Sequence, residues 1–338
     1  MISNNSNKIV LITKKGLSEA FSVVNSEIPK PKSGEVLVKI DYVAINRADF
    51  GFSLGWYLPF EKYPNPCGFE ASGTIVEFAN DKQSSNSNLK IGDKVSVIYT
   101  MDHTKYGTFA EYAVFPIETL IKHNELVSQK EAAATWISYL TAYYGLVENG
   151  KIKKGDYVVI TAASSASGMA AINLAKLFGA IVIVTSRSDK KKQQLLDYGA
   201  DHFIAQDTED FVQRVKEITN GHGFDIVYDS VTGSFVSKLV EAASKGAKLV
   251  LYGGMDHSPI SFQLGGAISK YLNIKILNCN EYLYQPEYFK KATEFINSNL
   301  HTFKSIVGKE FTGIDQIIDS LNYLSESNLF GKILVKIN

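Results

Sequence analysis

Four short apolar runs constrain the fold of this chain more than anything else in it: Tyr157-Val158-Val159-Ile160-Thr161, Ile181-Val182-Ile183-Val184-Thr185, Ile226-Val227-Tyr228-Asp229 and Lys248-Leu249-Val250-Leu251-Tyr252. Each has the length and β-branched content of a strand buried on both faces. Helical segments fall between them. Gly168 to Phe178 puts Gly168, Ile172, Ala175 and Gly179 on one face. Thr208 to Thr219 carries Phe211, Val212, Val215 and Ile218, with Gly221 just past its end. Strand and helix in alternation imply βαβ units with right-handed crossovers, and hence a doubly wound parallel sheet whose ligands bind beyond the carboxyl ends of the strands.

Upstream, from about residue 8 to 120, the pattern changes. Lys8 to Thr13, Glu35 to Val43, Gly73 to Phe78 and Lys94 to Ile98 are rich in Val and Ile, and Gly, Pro, Asn and Ser clusters punctuate them, as in an all-β module. The polar stretch Asn80 to Asn88 reads as a surface loop. At 338 residues the chain exceeds the size at which single cores stop growing, so two domains are expected. After a strand-like run at Asn273 to Asn278, a helix-like stretch (Pro286 to Asn297) and a strand-like end (Lys332 to Ile337) are placed to complete the N-terminal module. The expected division is 1–124 with 286–338 for the β-rich domain and 125–285 for the α/β domain.

Thirty-five Lys and Arg balance thirty-five Asp and Glu. Zero net charge argues against a partner gathered by bulk electrostatics, such as nucleic acid or an anionic membrane surface. The two cysteines, Cys67 and Cys279, are too few for a disulfide framework and suit a reducing compartment. No apolar run approaches the roughly 18 to 20 residues that span a bilayer, and the polar start Met1-Ile2-Ser3-Asn4-Asn5 lacks a signal-peptide pattern. The expectation is a cytoplasmic protein.

The segment Ile160 to Met169 lies between a strand and a helix, where a dinucleotide-binding sheet turns tightly and aims backbone N–H groups at a pyrophosphate. Such a turn needs small side chains, and Ala162-Ala163-Ser164-Ser165-Ala166-Ser167-Gly168 supplies them, although only Gly168 remains of a G-x-G-x-x-G pattern. A close packing turn without a ligand is the alternative. The next strand ends in Ser186-Arg187-Ser188-Asp189-Lys190-Lys191-Lys192, not in the acidic residue that hydrogen-bonds a ribose 2′-OH in NAD enzymes. Arg187 can fork onto a phosphate and a lysine can add a point charge, which favours NADPH over a merely solvated basic helix start.

With these segments in hand, the chain resembles the medium-chain dehydrogenase/reductase superfamily, in its zinc-free quinone oxidoreductase branch. Six blocks in order carry the resemblance: Ala44 to Asp49, Cys67 to Gly73, Ile91 to Val95, Gly107 to Tyr112, Tyr139 to Tyr143 and Gly331 to Ile333. It implies a GroES-like catalytic domain made from both chain ends, a central Rossmann domain, and a homodimer joined through the last Rossmann strand. Zinc-dependent relatives place a Cys ligand at the Asn46 position and a His ligand at the Phe69 position, and neither residue present can ligate Zn²⁺. Four structural-zinc cysteines exceed the two that exist. Cys67 reads as a small buried hydrophobe, and the six histidines form no metal-ligand spacing.

Without a Lewis acid to stabilise an alkoxide, the chemistry that fits is hydride addition to a quinone or a small α,β-unsaturated carbonyl, whose developing charge hydrogen-bond donors can stabilise. The resemblance assigns Asn46 and Tyr57 to the carbonyl, and Phe52 and Trp56, in an aromatic loop over residues 50–57, to apolar walls. It carries Asn46, Thr141, Ala166, Ser167, Gly168, Ser186, Arg187, Lys191, Ser230, Val231, Tyr252, Gly253 and Lys332 to the cofactor. Ser165 and Ala166 stand where glycines are usual, and Gln206 where several relatives have tyrosine. A 2-enoyl thioester reductase and a non-catalytic NADPH-binding protein are the competing expectations.

Overall fold

The computed structural model describes residues 6–56, 62–80, 88–98, 102, 104–123, 125–325 and 329–337. Tyr57 and residues 81–87 of the polar loop lie outside the described residues. The chain divides into two compact units, residues 1–137 with 305–338 and residues 138–304.

The second unit is built on a six-stranded, all-parallel sheet. Its strands in chain order are Tyr157–Ile160, Ile181–Ser186, His202–Ala205, Phe224–Asp229, Ala243–Leu251 and Asn273–Ile276. Their order across the sheet is third, second, first, fourth, fifth, sixth. This is the Rossmann order, in which the strand succession reverses between the first and fourth strands and leaves a crevice at their carboxyl ends. Val159, Ile183, Ile204, Val227 and Leu249 are fully buried in its core. The expected helices form at Ala166–Leu177 and Phe211–Ile218. The second stops where expected, with Gly221 at φ 85° donating its N–H to the Lys216 carbonyl at 2.7 Å. The helix Pro286–Asn299 also lies in this unit, where Phe295 packs on Tyr143 and Phe178.

In the first unit a seven-stranded sheet holds Glu35–Ile45 at its centre. That strand pairs antiparallel with Glu70–Phe78, with Tyr112–Pro116 and with Lys332–Lys336. A three-stranded sheet made of Phe21–Glu27, Ser6–Ile12 and Asn65–Pro66 lies beside it in the same unit. The strand Lys332–Lys336 enters in fixed register, Ile333 opposite Ile45 and Leu334 opposite Ala44, and all four of its residues Lys332 to Val335 are buried. One expectation is corrected here. Residues 50–53 of the aromatic loop expected over 50–57 belong instead to the helix Arg47–Ser53, because the Asp49 side chain returns to the Asn46 N–H at 2.7 Å and closes its first turn. Nearer the chain end the unit carries a further helix, Ile317–Ser325, which buries Ile317, Leu321 and Leu324. Among the described residues no helix is long and apolar enough to cross a membrane.

Candidate functional site

The turn after the first parallel strand is tight. Ala162 sits at φ 44°, a left-handed conformation that costs an alanine roughly 1–2 kcal/mol. The Ser165 N–H then donates to the Ala162 carbonyl at 2.9 Å. Ser165, standing where a glycine is usual, is the N-cap of Ala166–Leu177: its hydroxyl accepts the Gly168 N–H at 3.1 Å. The substitution keeps the turn and adds a cap, at the expense of one backbone donor. The N–H groups of Ala166 and Ser167 are left at the helix start without an acceptor among the described residues, where the helix dipole favours an anion. Gly168 permits the geometry, since a Cβ there would lie 2.7 Å from the Ala163 Cα and 2.7 Å from its carbonyl oxygen.

Beside this turn stands a pair of cations. Lys191 Nζ donates to the Ser164 hydroxyl at 3.1 Å, which brings the start of the segment after the second strand onto the turn after the first. Burial lowers the Lys191 pKa, and the neighbouring Arg187 guanidinium lowers it further. Arg187 is exposed and makes no ion pair among the described residues. Ser186 and Arg187 are held by backbone bonds from the N–H groups of Gln206 and Asp207 to their carbonyls, both 2.9 Å. The Gln206 amide donates to Thr185 Oγ1 at 3.0 Å.

At the reversal point, two residues that the sequence reading missed tie the first and fourth strands together. The Thr161 hydroxyl donates to Asp229 Oδ1 at 2.5 Å and accepts the Ser230 N–H at 3.1 Å. Asp229 also takes the N–H groups of Val231 at 2.9 Å and Thr232 at 3.0 Å. Burial raises its pKa against these donors. A carboxylate at the end of an apolar run was the available signal. The loop after the fifth strand folds onto this corner. A Cβ on Gly253 would lie 2.6 Å from the Ser230 carbonyl oxygen, and Met255 and Asp256 donate backbone N–H groups to Ser230 and Val231. Tyr252 stacks on Tyr228 with ring centroids 4.0 Å apart, and the Tyr228 hydroxyl meets Ser167 Oγ at 3.3 Å. Burial pushes both phenols up, Tyr252 to about 12, so both stay protonated. Behind them Tyr144–Asn149 is a turn of π-helix, and a Cβ on its Gly145 would lie 2.6 Å from the Tyr228 ring. Thr141, just ahead of that turn, receives the Cys279 thiol at 3.5 Å. The structure therefore gathers Ala166, Ser167, Gly168, Ser186, Arg187, Lys191, Ser230, Val231, Tyr252 and Gly253 at the carboxyl ends of one sheet.

The remaining expected site residues belong to the first unit. Asn46 follows the strand Glu35–Ile45, Glu70 opens the strand Glu70–Phe78 opposite Ala44, and Lys332 opens the strand Lys332–Lys336. The three side chains meet where those strands meet. Lys332, expected at the cofactor, is only 2 % exposed and directs its ammonium inward instead: it donates to Asn46 Oδ1 at 2.5 Å and ion-pairs with the fully buried Glu70. Glu70 Oε2 accepts the Ile137 N–H at 2.6 Å. Phe52 is buried edge-on against Phe69, with centroids 5.6 Å apart, whereas Trp56 is 65 % exposed at the end of the helix. Phe69 and Asn46 occupy two ligand positions of zinc-dependent relatives and offer no thiolate or imidazole, so this donor set does not fit the metal. Cys67 is buried and its thiol donates to the Val10 carbonyl at 3.1 Å. Among the described residues no group of three or more His, Cys, Asp or Glu is arranged to hold a metal ion.

Asp49 in this unit is a buried acid whose pKa burial raises to about 8, only partly offset by the Asn46 N–H and Lys332. The folded chain then holds a proton that the unfolded chain, with an ordinary aspartate near pKa ~3.9, releases. The resulting stability is complete below the unfolded value and is lost as pH rises through the folded one. His123, lowered to about 4 mainly by burial, has the opposite sign, and its contribution is lost only as pH falls below its unfolded value near ~6.5. Thermal midpoints should therefore fall between about pH 6.5 and 8, and Asp49→Asn should flatten that decline. An equally steep decline in the variant would assign the titration elsewhere.

Comparison with known proteins completes the picture. Residues 32–125 match the alcohol dehydrogenase GroES-like domain family, and residues 166–298 match the zinc-binding dehydrogenase family. The chain is 30 % identical over 342 residues to the "Probable quinone oxidoreductase" of Leishmania amazonensis, covering 97 % of this chain and 96 % of that protein. It is 28 % identical over 325 residues to prostaglandin reductase-3 of Bos taurus, covering 92 % and 83 %. The crystal structure of Escherichia coli quinone oxidoreductase complexed with NADPH shares the fold at a TM-score of 0.86 and 24 % identity, over 97 % of this chain and 99 % of that one. A zinc-binding description thus meets a chain whose own residues cannot hold the catalytic metal, and a near full-length relative accounts for the difference: the chain belongs to the quinone oxidoreductase branch of the medium-chain dehydrogenase/reductase superfamily, among its zinc-free oxidoreductases.

Proposed function

We propose that this chain is an NADPH-dependent reductase of quinones and small α,β-unsaturated carbonyls. The observation that carries the cofactor assignment is the Arg187–Lys191 cation pair held against the small-residue turn, with no acidic residue at the end of its strand. Arg187, Lys191 and Ser186 take the 2′-phosphate, and the free N–H groups of Ala166 and Ser167 take the pyrophosphate. Thr141, Ser230, Val231, Tyr252 and Gly253 line the rest of the cofactor path. NADPH, when bound, supplies the hydride. Asn46 donates to the carbonyl oxygen of the acceptor, where negative charge develops as the hydride adds, and Tyr57 is its second donor. Phe52 braces Phe69 from within the core, and Trp56 offers an exposed ring to a flat acceptor. Water provides the proton that completes reduction. The names of two relatives, a quinone oxidoreductase and a prostaglandin reductase, support both acceptor classes.

The test is NADPH oxidation with 1,4-benzoquinone, a simple enone and a crotonyl thioester under the same conditions. Turnover of the first two above the third supports the proposal. Preference for the thioester would make this a 2-enoyl thioester reductase, and no oxidation with any acceptor would make it a non-catalytic binder.

We also propose a cytoplasmic homodimer, in keeping with two free thiols. Asn273–Ile276 is the edge of the parallel sheet, and Ile276 is 74 % exposed on it, with Leu264, Ile268 and Tyr271 also exposed. An apolar, unpaired edge invites a second strand. Ile276→Lys should shift the mass measured by light scattering from dimer toward monomer. A monomeric wild type would refute the assignment.

A further inference from the structure

Lys332 is an unusual residue to find with its ammonium buried and spent entirely within the protein. Burying a charge is costly unless it is paired and hydrogen-bonded, and replacing a buried ion pair by apolar side chains is often neutral or stabilising. Stability alone does not account for the pair. Its geometry suggests another purpose.

An ammonium only donates, so the Asn46 side chain must turn Oδ1 toward it. The amide nitrogen is thereby directed the other way. Nδ2 makes one long bond to the Ala44 carbonyl at 3.3 Å, and its second N–H has no partner among the described residues. Rotating the amide would face NH₂ against NH₃⁺, two donors with no acceptor between them. Glu70 holds the ammonium in place, and Glu70 is itself fixed by the Ile137 N–H. The capping box with Asp49 anchors the Asn46 backbone and also brings the Asp49 N–H to the Asn46 side chain, so the amide oxygen faces a second, weaker donor besides the ammonium.

We infer that the buried Glu70–Lys332 pair is a positioning device that locks Asn46 in the orientation of a hydrogen-bond donor. This rests on the reading of Asn46 as the donor to the acceptor carbonyl. The ammonium also polarises the amide, and an amide whose oxygen already accepts from a cation donates more strongly through its nitrogen. Lys332 is thus a positioning residue acting through Asn46, and the acceptor it serves bears an oxygen that becomes enolate-like or phenolate-like as hydride arrives. A ligand that needed Asn46 as an acceptor would be refused by the same lock.

Four variants test this with 1,4-benzoquinone as acceptor, reading kcat, KM for NADPH and the thermal midpoint. Asn46→Ala first checks the underlying reading: kcat should drop by about 100-fold, as for loss of one oxyanion donor. The apolar double variant Glu70→Leu with Lys332→Met should fold, keep its KM for NADPH, and lose about 10-fold or more in kcat because no ammonium holds the amide oxygen any longer. Lys332→Arg, another pure donor, should recover most of the rate. If the double variant does not fold, Lys332→Gln decides, since a glutamine amide satisfies either orientation of Asn46. There kcat should fall with KM for NADPH unchanged. A folded double variant, or Lys332→Gln in its place, with undiminished kcat while Asn46→Ala is impaired overturns the lock alone. An unimpaired Asn46→Ala overturns the role of Asn46 itself.

Discussion

Arg187→Ala should raise the KM for NADPH by about 10- to 100-fold while leaving that for NADH nearly unchanged. The magnitude follows from losing one or two charge-assisted hydrogen bonds, roughly 1.5–3 kcal/mol. The direction follows from the cation pair. Lys191 is half-buried on the Ser164 hydroxyl, its pKa lowered first by desolvation and then by Arg187, so the two cations repel one another until an anion arrives. A 2′-phosphate relieves that repulsion, and NADH does not. Removing Arg187 takes away both the fork and the repulsion, which is why affinity for the unphosphorylated cofactor should hold. Steady-state titration of the two cofactors against wild type, Arg187→Ala and the double variant with Lys191→Ala measures this directly. An unchanged preference in the double variant would place the 2′-phosphate elsewhere.

Gly168→Ala should damage the second unit far more than an ordinary added methyl. The added Cβ would meet backbone atoms of Ala163 at 2.7 Å on two sides and the Ala162 carbonyl oxygen at 2.8 Å. Backbone has no rotamer to change, so the helix Ala166–Leu177 must move off the strand. Overpacking of this kind costs about 1–3 kcal/mol or more, which lowers a thermal midpoint by roughly 2–4 °C per kcal/mol in a domain of this size. The displacement also carries the Ala166 and Ser167 N–H groups away from the anion position, so NADPH binding should weaken beyond what the loss of stability explains. Gly254→Ala is the control, since a Cβ there meets nothing within 4 Å. Calorimetry on the two variants separates the cases, and equal midpoints would show that the turn can relax.

The parallel strands were legible because burial on both faces forces continuous β-branched runs, as at Val158 to Ile160 and Val182 to Val184. His202–Ala205 was not, because a four-residue strand opened by histidine has only three apolar residues and no periodicity to display. The helix Arg47–Ser53 was hidden by its composition: Gly51 and two phenylalanines weaken helical preference, and the Asn46–Asp49 closure that offsets them looks in sequence like any polar pair. In the site, small residues and cations could be read locally. Contacts between distant strands could not. Thr161 with Asp229, and Glu70 with Lys332, are each defined by strand pairing across the sheet, and no local pattern announces them. Ser165 is a milder case, a departure from the glycine pattern whose capping role explains why the turn survives it.

The register of Lys332–Lys336 against Glu35–Ile45 has a consequence for synthesis. On the ribosome, the stretch from Tyr157 to Ile276 emerges as a contiguous piece able to close its own sheet, while the central strand of the first unit must wait exposed for a neighbour still to be translated. The bond that sets the Asn46 amide joins residues 286 positions apart in the chain. A nascent or truncated product can therefore acquire a nucleotide-binding fold long before it acquires a poised donor. On the proposed role of Asn46, its donor is set only together with the closure of the sheet that shields Val43 and Ile45 from aggregation.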